Sequence, residues 1–198
     1  MRNSGRMACV PVLIGLLFSI FAPAAFADEL DDAVLAEINF ARARPADYAR
    51  ELRRQAVSVQ RGDYSGDDPE AVEEAIDFLQ RQPSLPPLKW DDRIAVAASQ
   101  HTRVQGPRGD VGHGVAGGLG QRLHGAGVWA GMSAENISYG YDDARDVVRQ
   151  LIIDSGVPTR GHRHNIFGTS YQLAGVSCGS HRAYGAMCTI DFAGALAR

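Results

Sequence analysis

Residues 154–167 read DSGVPTRGHRHNIF and concentrate titratable groups between two short apolar runs. The stretch contains two imidazoles, two guanidinium groups, one carboxylate and one side-chain amide. Its apolar flanks predict that both ends are anchored in a core, whereas Gly156, Pro158 and Gly161 favour a loop over a helix in the polar middle. An anchored loop with several titratable groups is a typical place for a functional site.

The first 27 residues have the organisation of a secretory signal. Arg2 and Arg6 give a cationic start, residues 7–22 form an apolar run, and residues 23–27 end in the small-x-small pattern that signal peptidase accepts. A retained membrane anchor is the alternative, but the apolar run is short for a span. We therefore expect residues 28–198 to be the mature chain, secreted or periplasmic. It contains no further long apolar stretch, so we predict no membrane span in it.

The mature chain has the size and charge of one acidic domain. Removing 27 of the 198 residues leaves 171, which suits a single domain with its own core. The full chain has a formal charge of −3, and loss of the two signal arginines gives −3 − 2 = −5. This balance provides no basic surface for nucleic acid or anionic lipid. We predict no nucleic-acid partner.

Two cysteines, Cys178 and Cys188, are left once Cys9 is removed with the signal. An even pair close together in an exported chain predicts a disulfide. The spacing suits a bridge across a hairpin. A metal-binding pair is the weaker interpretation, because no CxxC partner lies nearby.

Hydrophobic periodicity predicts helices early in the chain and strands at its end. The helical patterns cover 30–42, 46–55, 70–80, 93–105, 121–126 and 144–153, and the strand patterns cover 135–137, 173–178 and 186–192. A glycine-rich stretch at 106–120 is expected to be a loop. Helices first, strands last and long connections between them indicate the α+β class.

Six histidines are present, and none belongs to an HExxH motif. His162 directly follows Gly161 and is the better inward candidate of its stretch, since His164 points the opposite way in an extended chain. His113 lies in the glycine-rich loop, where a histidine is often only solvated. Glu135 lies in an apolar neighbourhood and needs either a partner or a cavity, because bare burial of a carboxylate is costly. If Glu135 has only a structural role, we expect it to form a salt bridge to an arginine such as Arg163.

Asp154 ends a strongly apolar helix. A carboxylate at a helix C-terminus opposes the helix dipole, so this position calls for a partner. The candidates are Arg160, Arg163 and a histidine of the site. The residues alone do not decide between them.

Several motifs in order along the chain resemble the CAP superfamily, which includes cysteine-rich secretory proteins, venom allergens and plant pathogenesis-related proteins. They are Gly112-His113, Gln121-Arg122-Leu123, Gly127, Ala134-Glu135-Asn136-Ile137, Gly161-His162-Arg163-His164-Asn165-Ile166 and Gly175-Val176. The resemblance implies an α-β-α sandwich with a small antiparallel sheet between helices. It also implies a cleft with two histidines and two acids, for which His113, Glu135 and His162 match the motifs. Asp154 stands closest to the fourth position, where many members have Glu.

The resemblance further implies a binding module for a small apolar ligand or a protein partner. Two imidazoles, His113 and His162, and the nearby carboxylates suit a divalent ion such as zinc. The alternative is a metal-assisted hydrolase or protease in which Glu135 is the catalytic general base. A third hypothesis is that the four groups form only a buried polar network.

Overall fold

The computed structural model describes residues 24–59, 66–114 and 117–196. Its helices are α1 (Ala24–Ala43), α2 (Pro45–Val59), α3 (Pro69–Arg81), α4 (Asp92–Arg108), α5 (Leu119–Gly125), α6 (Ala144–Ile153) and α7 (Gly161–Ile166). Its strands are β1 (Lys89–Trp90), β2 (Ser133–Tyr139), β3 (Leu173–His181) and β4 (Gly185–Ala193). This content confirms the predicted α+β class.

The four strands form one sheet in the order β1-β3-β4-β2. The three long strands are antiparallel, as predicted, whereas the two-residue β1 runs parallel to β3. The sheet lies between two helical layers and so forms the expected α-β-α sandwich. The larger core contains apolar side chains of α1, α2, α3 and α6 packed on one face, and the smaller core contains those of α4 and α5 on the other.

The predicted disulfide is confirmed. Cys178 and Cys188 occupy directly paired positions of β3 and β4 and are bonded to each other. The bridge therefore closes the terminal hairpin across neighbouring strands.

Helix α4 continues beyond the predicted end at Gln105, and the expectation of loop from Gly106 onward was wrong for its last turn. Arg182 donates its backbone N–H to the Gly106 carbonyl at 2.8 Å, and a side chain at Gly106 would meet the Ser180 carbonyl. The helix stops at Gly109, whose φ of 75° forms a left-handed cap. Contact with the β3–β4 hairpin therefore extends the helix.

The polar middle of the opening stretch was also predicted wrongly as loop throughout. Residues Gly161–Ile166 form the short helix α7. A helix start needs acceptors for its first N–H groups, and Asp154 supplies them from outside the helix. That contact is not visible in the local sequence pattern.

Most of the predicted signal sequence lies outside the described residues, and its end at Ala27 stays a prediction. Within the described ranges, no helix is both long and apolar enough to cross a membrane.

Candidate functional site

Strand β2 is an edge strand, and it directs neighbouring side chains to opposite faces of the sheet. Glu135 faces α5, where it meets Arg122. Asn136 and Ser138 face the other way and hydrogen-bond to α7 and α6: Asn136 Nδ2 donates to the His162 carbonyl at 3.0 Å, and Ser138 donates to Gln150 at 2.5 Å. Strand β2 thus contacts both halves of the candidate site, one around His113 and one around His162.

The first half is a pair formed by His113 and Glu135. His113 Nδ1 lies 2.8 Å from Glu135 Oε1, and the other carboxylate oxygen contacts Arg122. The imidazole is 59 % exposed, whereas the Glu135 side chain is 3 % exposed. The hydrogen bond to Glu135 raises the pKa of His113, against the opposing effects of burial and of Arg122. The predicted salt bridge of Glu135 is thus present, but its arginine partner is Arg122 and not Arg163, the example named from the sequence.

A ring of hydrogen bonds holds the loop that carries His113. Gln105 Nε2 donates to the Gly112 carbonyl at 2.6 Å, the Gly112 N–H donates to Tyr139 Oη at 3.0 Å, and Tyr139 donates to Gln105 Oε1 at 2.7 Å. Further along, Arg122 Nη1 donates to the Gly117 carbonyl at 2.7 Å. His113 is therefore placed by fixed contacts and is not simply a solvated loop histidine. Sequence reasoning missed Gln105 and Tyr139, because only the fold brings them close to each other and to the Gly112 backbone.

The second half is a pair formed by His162 and Asp154. His162 Nδ1 lies 2.7 Å from Asp154 Oδ1. Asp154 Oδ2 accepts the backbone N–H of His162 at 2.9 Å and that of Arg163 at 3.4 Å. Asp154 stands at the C-terminal end of α6 with φ of 56°, and its carboxylate turns to the N-terminus of α7, where the helix dipole favours it.

The two arginines considered as partners of Asp154 have other roles. Arg160 and Arg163 both bind Glu74 of α3, through Arg160 Nε at 2.8 Å and Arg163 Nη1 at 3.1 Å. Arg163 also donates to the carbonyls of Ile152 and Ile153 at the end of α6. Arg160 also donates to the backbone carbonyl of Asp154, at 2.7 Å, and not to its carboxylate. The side-chain partner of the Asp154 carboxylate is therefore His162.

Asn165 connects the second half of the site to β2. Its Nδ2 donates to Asn136 Oδ1 at 2.9 Å. His164, by contrast, has its ring 6.5 Å from that of Phe78 in α3, away from this site. Because Glu135 and Asn136 face opposite sides of β2, the two histidine–carboxylate pairs approach the edge strand from opposite faces. No cluster of three or more His, Cys, Asp or Glu side chains suitable for a metal occurs in the described ranges.

Two further buried groups lie behind the first pair. Asp191 is paired with Glu135 across β4 and β2, and His101 of α4 has Nδ1 3.9 Å from Glu135 Oε2. Both residues are 0 % exposed. Burial lowers the pKa of His101, while burial and then the neighbouring Glu135 raise the pKa of Asp191 well above its ordinary range. Sequence reasoning missed both, although an aspartate inside the apolar pattern of the last strand was a signal.

The family model for the cysteine-rich secretory protein family, CAP, matches residues 35–192 of the chain. The chain belongs to the CAP family. The resemblance of the sequence motifs is thereby confirmed over nearly all of the described region. No curated protein matches the chain.

Solved structures similar to this CAP domain include the following three. An extracellular protein containing an SCP domain from Bacillus anthracis is 24 % identical, with a TM-score of 0.47, over 56 % of this chain and 35 % of that one. An outer surface protein from Borrelia burgdorferi is 17 % identical, with a TM-score of 0.48, over 56 % and 79 %. A cysteine-rich secretory protein from Staphylococcus aureus is 16 % identical, with a TM-score of 0.45, over 67 % and 40 %. The chain thus spans well under half of the first and third of these proteins.

In this CAP domain, His113 and His162 are each paired with a carboxylate through Nδ1. A carboxylate only accepts hydrogen bonds, so a neutral imidazole paired through Nδ1 must carry its proton there. This leaves Nε2 of each ring with its lone pair. Carboxylate-backed histidines of this kind are typical of metal ligands, because the carboxylate orients the ring and raises its basicity.

Proposed function

We propose that this CAP domain is an extracytoplasmic binding module whose cleft is formed by His113, Glu135, Asp154 and His162. The proposal rests on one observation: a buried carboxylate holds Nδ1 of each imidazole, at 2.8 Å for His113 and 2.7 Å for His162. Such pairs fix ring orientation and present Nε2 to an external group. The signal-like N-terminus supports the secreted or periplasmic location.

The ligand that we propose for the cleft is a small apolar molecule or a protein partner. Val111, two residues before His113 in the chain, is 56 % exposed, and we propose it as an apolar contact for such a ligand. An apolar body beside a few fixed polar groups is the usual composition of a ligand site.

A divalent cation such as zinc is the second component of the proposal. Nε2 of His113 and Nε2 of His162 would hold it, and the bound ion would supply Lewis-acid polarisation of a ligand oxygen or water. Two imidazoles are fewer than the three or four protein ligands of most zinc sites. We therefore expect weak, exchangeable binding completed by water or by the ligand.

Zinc titration followed by calorimetry tests the cation component. His113→Ala and His162→Ala are each expected to weaken zinc binding at least about tenfold, the effect of losing about 1.4 kcal/mol of binding free energy. His124→Ala and His164→Ala are matched controls, because neither histidine belongs to a histidine–carboxylate pair, and both should bind zinc as the parent does. Equal affinity of all four variants and the parent would refute the cation site.

A hydrolase remains the alternative function, but the surroundings of Glu135 favour binding. Its two oxygens are held by His113 and Arg122 and its side chain is only 3 % exposed, whereas a general base has to reach the attacking water. A peptide and ester panel decides the matter, with Glu135→Gln as the control. Turnover that this substitution abolishes would overturn the preference for a binding role.

A further inference from the structure

A closed group of ionisable side chains lies directly behind His113 and Glu135. Glu135 and Asp191 are paired across β2 and β4, so their carboxyls stand side by side on the face of the sheet that α4 and α5 cover. Arg122 contacts Glu135 and approaches Asp191 Oδ1 to 3.9 Å. His101 lies 3.9 Å from Glu135 Oε2. None of the four residues Glu135, Asp191, Arg122 and His101 is more than 7 % exposed.

Helix α4 closes this group off from solvent. The other strand neighbour of Asp191 is Gly175 of β3, and a Cβ there would lie 2.1 Å from the backbone nitrogen of Ala95. The helix therefore rests directly on the sheet beside Asp191. Within the described part of the chain, neither carboxyl oxygen of Asp191 has a hydrogen-bond partner. An ionised carboxylate in such surroundings is costly.

This buried group contains two carboxyl side chains, Glu135 and Asp191, and one permanent cation, the guanidinium of Arg122. Arg122 is in contact with Glu135 and compensates its charge. His101 does not provide a second cation, because burial lowers the pKa of its imidazole. Two adjacent carboxyls without a second cation cannot both ionise readily. The raised pKa of Asp191, caused by burial and then by Glu135, agrees with this count.

We propose that Asp191 keeps its proton in the folded protein at neutral pH and stands as a neutral acid beside ionised Glu135. Arg122 is then available to Glu135 alone, and Glu135 remains the acceptor for His113. Asp191 is thus a positioning residue of the proposed cleft. The inference rests on the proposed function only for that role, since the proton count involves no ligand.

The pH dependence of urea unfolding tests the proposal, by comparing the parent with Asp191→Asn. The titratable and charged groups facing Asp191 are Glu135 from β2, Arg122 from α5 and His101 from α4, with His113 behind Glu135; β3 contributes Gly175 there. All of these groups are retained in both proteins.

The direction in which pH changes the unfolding constant distinguishes a protonated Asp191 from an ionised one in the folded protein. In an unfolded chain Asp ionises near pH 4 (roughly 3.9). A proton kept on folding stabilises the parent below that pH, and this stabilisation is lost as the pH rises towards the pKa of folded Asp191. We expect the unfolding constant of the parent to rise relative to Asp191→Asn by up to about tenfold per pH unit above roughly pH 4. Parallel curves above roughly pH 4 to 5, or a relative gain by the parent, would overturn the proposal.

A Glu135→Gln background identifies the cause of the retained proton. There Arg122 is free for Asp191, so the difference in pH dependence between Glu135→Gln and the double variant Glu135→Gln/Asp191→Asn should become smaller, although burial still contributes to it. If the full difference persists, Glu135 does not contribute to the retained proton and the positioning role fails. A lost zinc site would leave these unfolding results unchanged, so the two proposals can fail separately.

Infrared spectroscopy of the parent protein keeps the test independent of whether the Asn variant folds. At neutral pH the parent should show the carbonyl stretch of a protonated carboxylic acid. Burial also raises the pKa of Glu37, so Glu37→Gln is the control and should retain the band. Absence of the band from Glu37→Gln, whether or not the parent shows it, would overturn the proposal.

Discussion

At the scale of single residues, Asp154 combines three functions, one of its backbone and two of its side chain. Its backbone ends α6, with its N–H donating to the Gln150 carbonyl at 2.8 Å in a left-handed conformation. Its carboxylate caps α7 through the backbone N–H of His162 and also holds the His162 imidazole. The short Asp side chain thus serves both the helix start and the candidate site.

Replacing Asp154 tests this combination. Asp154→Ala should lower the free energy of unfolding by about 2–4 kcal/mol, since it removes a helix cap and places Ala, which tolerates the left-handed region less well than Asp does, at a φ of 56°. Asp154→Asn tolerates that region and retains an acceptor oxygen, so it should lose less. Urea unfolding measures both variants. Equal losses for Ala and Asn would contradict the capping role.

At the scale of elements, the edge strand β2 and helix α4 determine where the site lies. Because side chains alternate along β2, Glu135 and Asn136 lie on opposite faces of the sheet. Glu135 contacts Arg122 on one face, and Asn136 contacts the backbone of His162 on the other. The close approach of α4 to β3 at Gly175 seals the buried group behind Glu135. The position of the site therefore depends on an approach that only glycine permits.

A Gly175→Ala substitution tests the approach of α4. The added Cβ would lie 2.1 Å from a backbone nitrogen, and overpacking of this kind typically costs about 1–3 kcal/mol, occasionally more. Gly120→Ala is the matched control, because Gly120 lies in α5 with open space around it and Ala favours a helix by up to about 1 kcal/mol. Urea unfolding should show opposite changes. An unaffected Gly175→Ala protein would contradict the tight packing.

At the scale of the whole molecule, the sequence was sufficient for features with local causes. The long helices, the hairpin and the disulfide follow from periodicity and cysteine spacing, and the motifs led to the CAP family. Helix α7 and the last turn of α4 could not be predicted, because distant groups, Asp154 and the β3–β4 hairpin, stabilise them. The Glu135–Asp191 neighbourhood depends on strand register, which composition and local pattern do not show.

The proposed cleft depends on one chemical claim about both of its histidines. If Glu135 and Asp154 accept hydrogen bonds from Nδ1 of His113 and His162, both neutral imidazoles carry the proton on Nδ1 and leave Nε2 open. NMR of the ring nitrogens at mildly alkaline pH measures this directly. We expect the Nδ1–H form for both histidines, with loss of that preference at His113 in Glu135→Gln and at His162 in Asp154→Asn. The Nε2–H form at both histidines in the parent protein would contradict the carboxylate-backed cleft.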